Sequence, residues 1–255
     1  MLVATLLAAS VWTAPTPLAL PDYGATASGA FGGSAIGGEF EPSAVVARRG
    51  AAGLGPFTPL TPAERDERVG TARLSDAGEA IVLKVRRHRP TQRIRATIVA
   101  PDGIRGAAHT ISDASHSATR PELAVAADGT AVAAWAWHDR AGWRVQAAVR
   151  RPRQPRFDRP QNVSPPISNL SRWLWIEVAA GAGGHTALTW FYGGAEGLRV
   201  EALRVRSAGP DGRFTADQVL PGRGGFYDVA LAVGPAGAVQ LAYTSSVFGV
   251  SPSSL

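Results

Sequence analysis

Hydrophobic and polar positions recur in blocks along this chain. The block Pro121–Arg151, PELAVAADGTAVAAWAWHDRAGWRVQAAVRR, shows the pattern best. From Thr130 to Trp137 the residues are apolar at almost every position, as in a strand buried on both faces. In the next run Val145, Ala147 and Val149 alternate with Arg144, Gln146, Ala148 and Arg150, which predicts one inward face and one mostly outward face. Asp128-Gly129 marks a tight turn between the first two runs. A fourth strand is predicted near Phe157–Ser164.

The block repeats. Gly78, Gly129, Gly184 and Gly237 follow one another at spacings of 51, 55 and 53 residues. Six residues after each stands Lys84, Trp135, Trp190 or Tyr243, with an apolar run between. Fifteen residues after the first three markers come Arg93-Ile94-Arg95-Ala96, Arg144-Val145-Gln146-Ala147 and Arg199-Val200-Glu201-Ala202. A fixed offset kept three times is the mark of a true repeat. By that offset Glu201 falls on the outward position of Gln146 and Arg95. Pro101-Asp102-Gly103 and Pro210-Asp211-Gly212 then supply a second turn, a place filled in the middle unit by Pro152-Arg153-Gln154-Pro155. Each unit therefore reads strand–turn–strand–loop–strand–turn–strand. The expected fold is all-β, a β-propeller-like array of four-stranded antiparallel blades repeating every 50–55 residues. A helix competes for AVAAWAW because alanine favours helix. The Asp-Gly turn and the return of the run with Val, Thr and Leu decide for strand.

These units divide the chain into an apolar signal-like segment at 1–20, a Gly/Ala/Ser-rich linker at 21–41, and a repeat domain at 42–245. The domain holds a half unit at 42–61, full units at 71–112, 121–165 and 174–221, a half unit at 226–245, and is followed by a tail at 246–255. Ala44–Arg49 resembles a third strand, and Phe226–Tyr243 supplies a first and second. One expectation is that the two ends share a blade and close the ring; the other is an open fragment of a longer array.

Composition refines the address more than the chemistry. The 255 residues contain 29 Gly and 19 Pro, in keeping with many turns, and no cysteine, which removes disulfides, zinc–thiolate sites and thiol catalysis. The net charge is +6, yet the arginines are dispersed and Lys84 is the one lysine, so no basic stripe for nucleic acid is present. Leu2–Trp12 is too short to span a bilayer and has the character of a secretory apolar region, although no Lys or Arg precedes Arg48. The expected location is secreted or at the cell envelope, without a transmembrane helix.

The unit, carried best by Pro121–Ser164 and more weakly by Thr71–Ser112 and Ile176–Leu220, resembles the repeats of secreted actinobacterial β-propeller proteins of unassigned function. The likeness covers about 200 residues, from Glu41 to Tyr243, and implies export and a propeller-like fold rather than an activity. Similarity to sialidase-type propellers is distant and architectural: the Pro-Asp-Gly turns lack the Ser and Trp of the Asp-box, and Arg120-Pro121 lacks the Ile of the Arg-Ile-Pro signature.

Motifs for catalysis, metals and cofactors are missing: no His-Glu-x-x-His, no Gly-x-Ser-x-Gly and no phosphate loop. His109 and His116 flank one loop and read as surface residues. Asp113, Glu122, Asp128, Asp139, Glu177, Glu196 and Glu201 are the acids available for an acid/base pair. Trp135 and Trp190 hold a repeat position and are expected in the core. The unrepeated residues Trp137, His138, Asp139, Trp143, Trp173 and Trp175 are the candidate ligand contacts. The leading expectation is a non-catalytic exported binding or scaffold protein whose partner is a glycan or an envelope protein. A polysaccharide-acting hydrolase or lyase and a fragment of a larger surface array are the alternatives.

Overall fold

In the computed structural model the described residues are 25–30, 33–40, 43–50, 53–54, 58–59, 66–88, 91–113, 115–167, 173–193, 202–220 and 225–246. They form antiparallel sheets in chain order. The first contains β1 (Ala25–Ala30), β2 (Gly33–Phe40), β3 (Ser43–Gly50), β4 (Gly53–Leu54) and β5 (Thr58–Pro59), with β5 on β3. The second contains β6 (Glu67–Leu74), β7 (Ala80–His88), β8 (Thr91–Val99) and β9 (His109–Thr110). The third contains β10 (Ser117–Val125), β11 (Ala131–Asp139), β12 (Gly142–Arg150) and β13 (Gln161–Asn162). The fourth contains β14 (Trp173–Ala180), β15 (Thr186–Gly193), β16 (Leu203–Ala208) and β17 (Gln218–Leu220). A last hairpin pairs β18 (Gly225–Val233) with β19 (Val239–Ser246). The architecture is all-β and propeller-like, as the repeat implies.

The marker glycines explain the hairpins. All four have positive φ, between 81° and 86°, a region that disfavours side chains. The Gly78, Gly129 and Gly237 amides each donate to the carbonyl three residues back at 2.9 Å. In the second turn Arg153 takes φ 63° where the other units use Gly103 and Gly212. Ser112 and Ser164 perform one task twice: each hydroxyl accepts a third-strand amide, of Ile94 at 3.0 Å and Val145 at 2.8 Å, and pins the short fourth strand.

First strands pack on one another, β10 between β6 and β14, and β14 beside β18. One apolar cluster joins the second and third sheets, with Leu83, Ile94, Leu123 and Trp135 at its centre. Another joins the third and fourth through Val132, Val145, Val178 and Trp190. Trp135 and Trp190 are fully buried, as the repeat predicts. Full burial of such a side chain contributes about 1.5–3 kcal/mol. At the equivalent place Lys84 is also buried and pairs with the buried Glu67 carboxylate at 3.4 Å; Arg95 reaches the same carboxylate.

Four expectations change. The stretch 21–41 read as linker carries β1 and β2, paired from Ala25–Gly38 to Ala30–Gly33. Small residues fill little volume, but they cost nothing sterically in a strand. β3 pairs with β2, so among the described residues Ala44–Arg49 does not join β19 in the expected shared blade. In β12 the face expected outward is buried too: Gln146, Ala148 and Arg150 all lie inside. Hydrogen bonds make this tolerable. Gln146 accepts from Trp135 Nε1 at 3.1 Å and donates to Asn162 at 2.9 Å. Finally, Trp190 pairs with Arg204, where Lys84 pairs with Arg95 and Trp135 with Gln146. The partner of Trp190 lies three residues further along the chain than the partners of Trp135 and Lys84 do, so the position assigned to Glu201 belongs to Arg204. Glu201 itself lies outside the described residues, as do Glu196, residues 1–20 and residues 247–255.

Polar contacts lock successive sheets. Arg150, 2 % exposed, grips Glu79 of the second sheet through two bonds, 2.6 and 2.9 Å, while donating to the Gly129 and Gln154 carbonyls. Asp128 Oδ2 accepts the Gly183 amide at 2.7 Å, and Thr130 Oγ1 accepts that of Gly184 at 3.2 Å. Glu79→Ala therefore leaves the Arg150 charge buried without its counter-ion and is expected to cost about 3–5 kcal/mol in urea unfolding. A Cβ on Gly70 would stand 2.3 Å from the Pro121 side chain, so Gly70→Ala is expected to cost about 1–3 kcal/mol by the same measurement.

Candidate functional site

The predicted ligand contacts fall in two separate places. Trp137, His138, Asp139 and Trp143 end the β11–β12 hairpin, where His138 pairs with Trp143 and Asp139 with Gly142. Alternation splits them. Trp137 is buried in the cluster shared with the second sheet and meets the His116 ring edge-on, centroids 4.8 Å apart. His138 is exposed and meets Trp143 edge-on at 4.9 Å, and Trp143 packs toward the fourth sheet. Asp139 accepts the Ala141 amide at 2.7 Å and Arg144 Nε at 3.3 Å, and so shapes the turn. Burial works against ionisation of Asp139, but the Ala141 amide and the Arg144 guanidinium prevail and hold its pKa below the usual value.

Sequence reasoning left Asp113 and Ser115 out of this group. Ser115 Oγ lies 2.6 Å from Asp113 Oδ1 and 2.5 Å from His116 Nδ1. The hydroxyl stands between the carboxylate and the imidazole. Nucleophile activation needs the imidazole between the other two, so this trio orients His116 rather than activating Ser115. The Ser115 hydroxyl and amide hold the Asp113 pKa low. His109 is half-buried, its pKa lowered chiefly by that burial. Among the described residues no three His, Asp or Glu side chains gather as metal donors.

Trp175 lies elsewhere, on β14. Leu174, Ile176 and Val178 turn into the cluster with the third sheet, so Trp175 and Glu177 occupy the opposite face, toward the last hairpin. β14 pairs with β15 without a bulge, whereas β6, β10 and β18 each carry one. Trp175 is 52 % exposed and lies nearly parallel to its cross-strand partner Phe191, with centroids 6.2 Å apart and planes at 15°. Tyr243, at the aromatic place of the last unit, is 40 % exposed where Trp135 and Trp190 are sealed. A cavity of about 220 Å³ opens along the same interface between Val205, Ser207 and Leu220 on one side and Val239 and Leu241 on the other. The side chain of Trp173 lies outside the described residues.

Glu177 is half-buried and makes no hydrogen bond or ion pair among the described residues. Burial raises its pKa, and Arg73 opposes the rise from β6. It pairs with Thr189 as Glu122 pairs with Ala134 and Thr71 with Leu83, so Thr71, Glu122 and Glu177 hold one level on neighbouring first strands. Phe191 was not read from the sequence as part of a site. Its signal was available: Trp175 and Phe191 are equidistant from the Gly183 turn.

No protein-family model and no curated protein matches the chain. Solved structures that resemble it include an endo-arabinase from Bacteroides thetaiotaomicron, 14 % identical, covering 77 % of this chain and 73 % of that one at a TM-score of 0.34. Oligopeptidase B from Leishmania major is 12 % identical over 86 % of this chain, with a TM-score of 0.42. A puromycin hydrolase is 16 % identical over 83 %, with a TM-score of 0.43. The chain spans 31 % and 42 % of the last two. At such scores these similarities carry no argument about chemistry.

Because its pKa is raised on folding, Glu177 is compatible with the fold below its ordinary pKa and costs stability as pH rises through the folded value. Glu177→Gln should therefore raise the melting temperature at neutral pH, and the gain should vanish in acid. A gain that is independent of pH would refute this.

Proposed function

We propose that this protein is a non-catalytic carbohydrate-binding propeller-like protein, exported and working at the cell envelope. The observation that carries the reading is the Trp175–Phe191 pair: a half-exposed indole held nearly parallel to a neighbouring ring across the strand pair. Such a surface loses hydration when the C–H face of a sugar covers it, and Glu177 on the same face can accept sugar hydroxyls. Export is supported by the apolar Leu2–Trp12 segment and by the resemblance to secreted actinobacterial repeats. The hairpin end around Trp143 gives weaker support, since Trp137 is sealed in the core and Asp139 is committed to its turn. Titration with a panel of oligosaccharides, followed by tryptophan fluorescence and calorimetry, tests the proposal. Trp175→Ala should weaken binding by about tenfold or more, equivalent to ~1.4 kcal/mol, and Trp143→Ala should leave it unchanged. Equal affinity of the Trp175 variant and the parent, or an empty panel, sinks it.

A second reading, cleavage of a polysaccharide, is favoured by Glu122 and Glu177 at one level of adjacent first strands. Release of reducing ends that stops in both Glu122→Gln and Glu177→Gln would establish it. Failure of the purified chain to release any would remove it.

A further inference from the structure

We infer that the Trp175 face selects glycans bearing a cationic amine, such as glucosamine polymers, over neutral glycans and over uronates. This rests on the carbohydrate-binding reading and names its ligand class. Three features of the face converge on positive charge. Trp175 and Phe191 present aromatic faces, whose quadrupole attracts a cation and repels an anion. Glu177 lies two residues from Trp175 on the same side of an unbulged strand, within the span of one or two sugar units. Its carboxylate is half-buried and, among the described residues, is bound by no donor. A neutral sugar would use the rings but leave this carboxylate with hydroxyls only. An ammonium would use both, and a uronate would meet the carboxylate with like charge.

Among the described residues, the neighbouring cations are engaged by other partners. Arg73 acts on Glu177 from β6, but its guanidinium donates to Thr71 Oγ1 at 3.2 Å and to the Ala72 carbonyl at 2.9 Å. Arg120 donates to the Leu174 carbonyl at 3.4 Å from the third sheet, across β14. On β16, Arg204 and Arg206 are paired with Asp217. Glu177 is thus left as the charge that an incoming ligand meets beside the rings.

The test uses ligands of fixed charge at neutral pH: an N,N,N-trimethylglucosamine oligomer, an N-acetylglucosamine oligomer of equal length, and an oligogalacturonate. The intact chain should bind the cationic oligomer on the order of tenfold more tightly than the N-acetylated one, and the uronate least. Added salt should narrow the gap. Glu177→Gln should bring the affinity for the cationic oligomer down to that for the N-acetylated one, and Trp175→Ala should weaken both. Equal binding of cationic and neutral oligomers, or a preference that survives in Glu177→Gln, overturns the inference and leaves carbohydrate binding standing. Binding of no oligomer overturns both.

Discussion

Burial of β7, β11 and β15 on both faces is the constraint on which this structure depends. β11 is sealed from Ala131 to Trp137, between the second sheet on one side and the fourth on the other. Two sheets can approach a third this closely only if small side chains alternate with large ones that reach across. The alanines of β11 make the space, and Trp135 and Trp190, each facing the preceding sheet, fill it. Polar groups drawn into such an interface are costly without partners, and several bring them, although the Trp137 and Trp190 indole N–H groups find none among the described residues. Gln146 satisfies Trp135, Arg150 meets Glu79, and Lys84 is joined by Glu67.

The same constraint separates what was legible in the sequence from what was not. Local signals survived well. The glycines at 78, 129, 184 and 237 demanded positive φ, and the aromatic six residues later was a packing position in the third and fourth units. The serines at 112 and 164 were visible as a repeat, and their hydrogen bonds give the reason. Signals that depend on a neighbouring sheet did not survive. A polar alternation in β12 implied solvent, because a sequence does not show that Arg150 will find Glu79 71 residues away. A constant offset implied Glu201, because a sequence does not show that the fourth sheet sets Trp190 against Arg204, three residues beyond that offset.

The candidate site was partly legible for a similar reason. Trp175 stood out because it is not repeated. Its ring partner Phe191 follows from strand register, and its companion Glu177 from alternation, so both needed the pairing of β14 with β15 to be known. The group from Trp137 to Trp143 had the richer chemistry on paper. Folding spends most of it on the hairpin itself: one tryptophan goes to the core, and one aspartate goes to the turn.

Two of the polar contacts between sheets place a carboxylate on the earlier sheet and its donor on the later one. Glu79 of the second sheet is held by Arg150 of the third, and Asp128 of the third holds an amide of the fourth. Trp135 and Trp190 fill the face toward the preceding unit. The third and fourth units thus each carry a fully buried tryptophan plug on one face only. A chain built on such a joint can lengthen by duplicating one unit in its middle: the newcomer brings both halves of the joint, and no existing contact loses its partner. The Trp175 face is the side of the fourth unit that the last hairpin leaves partly open.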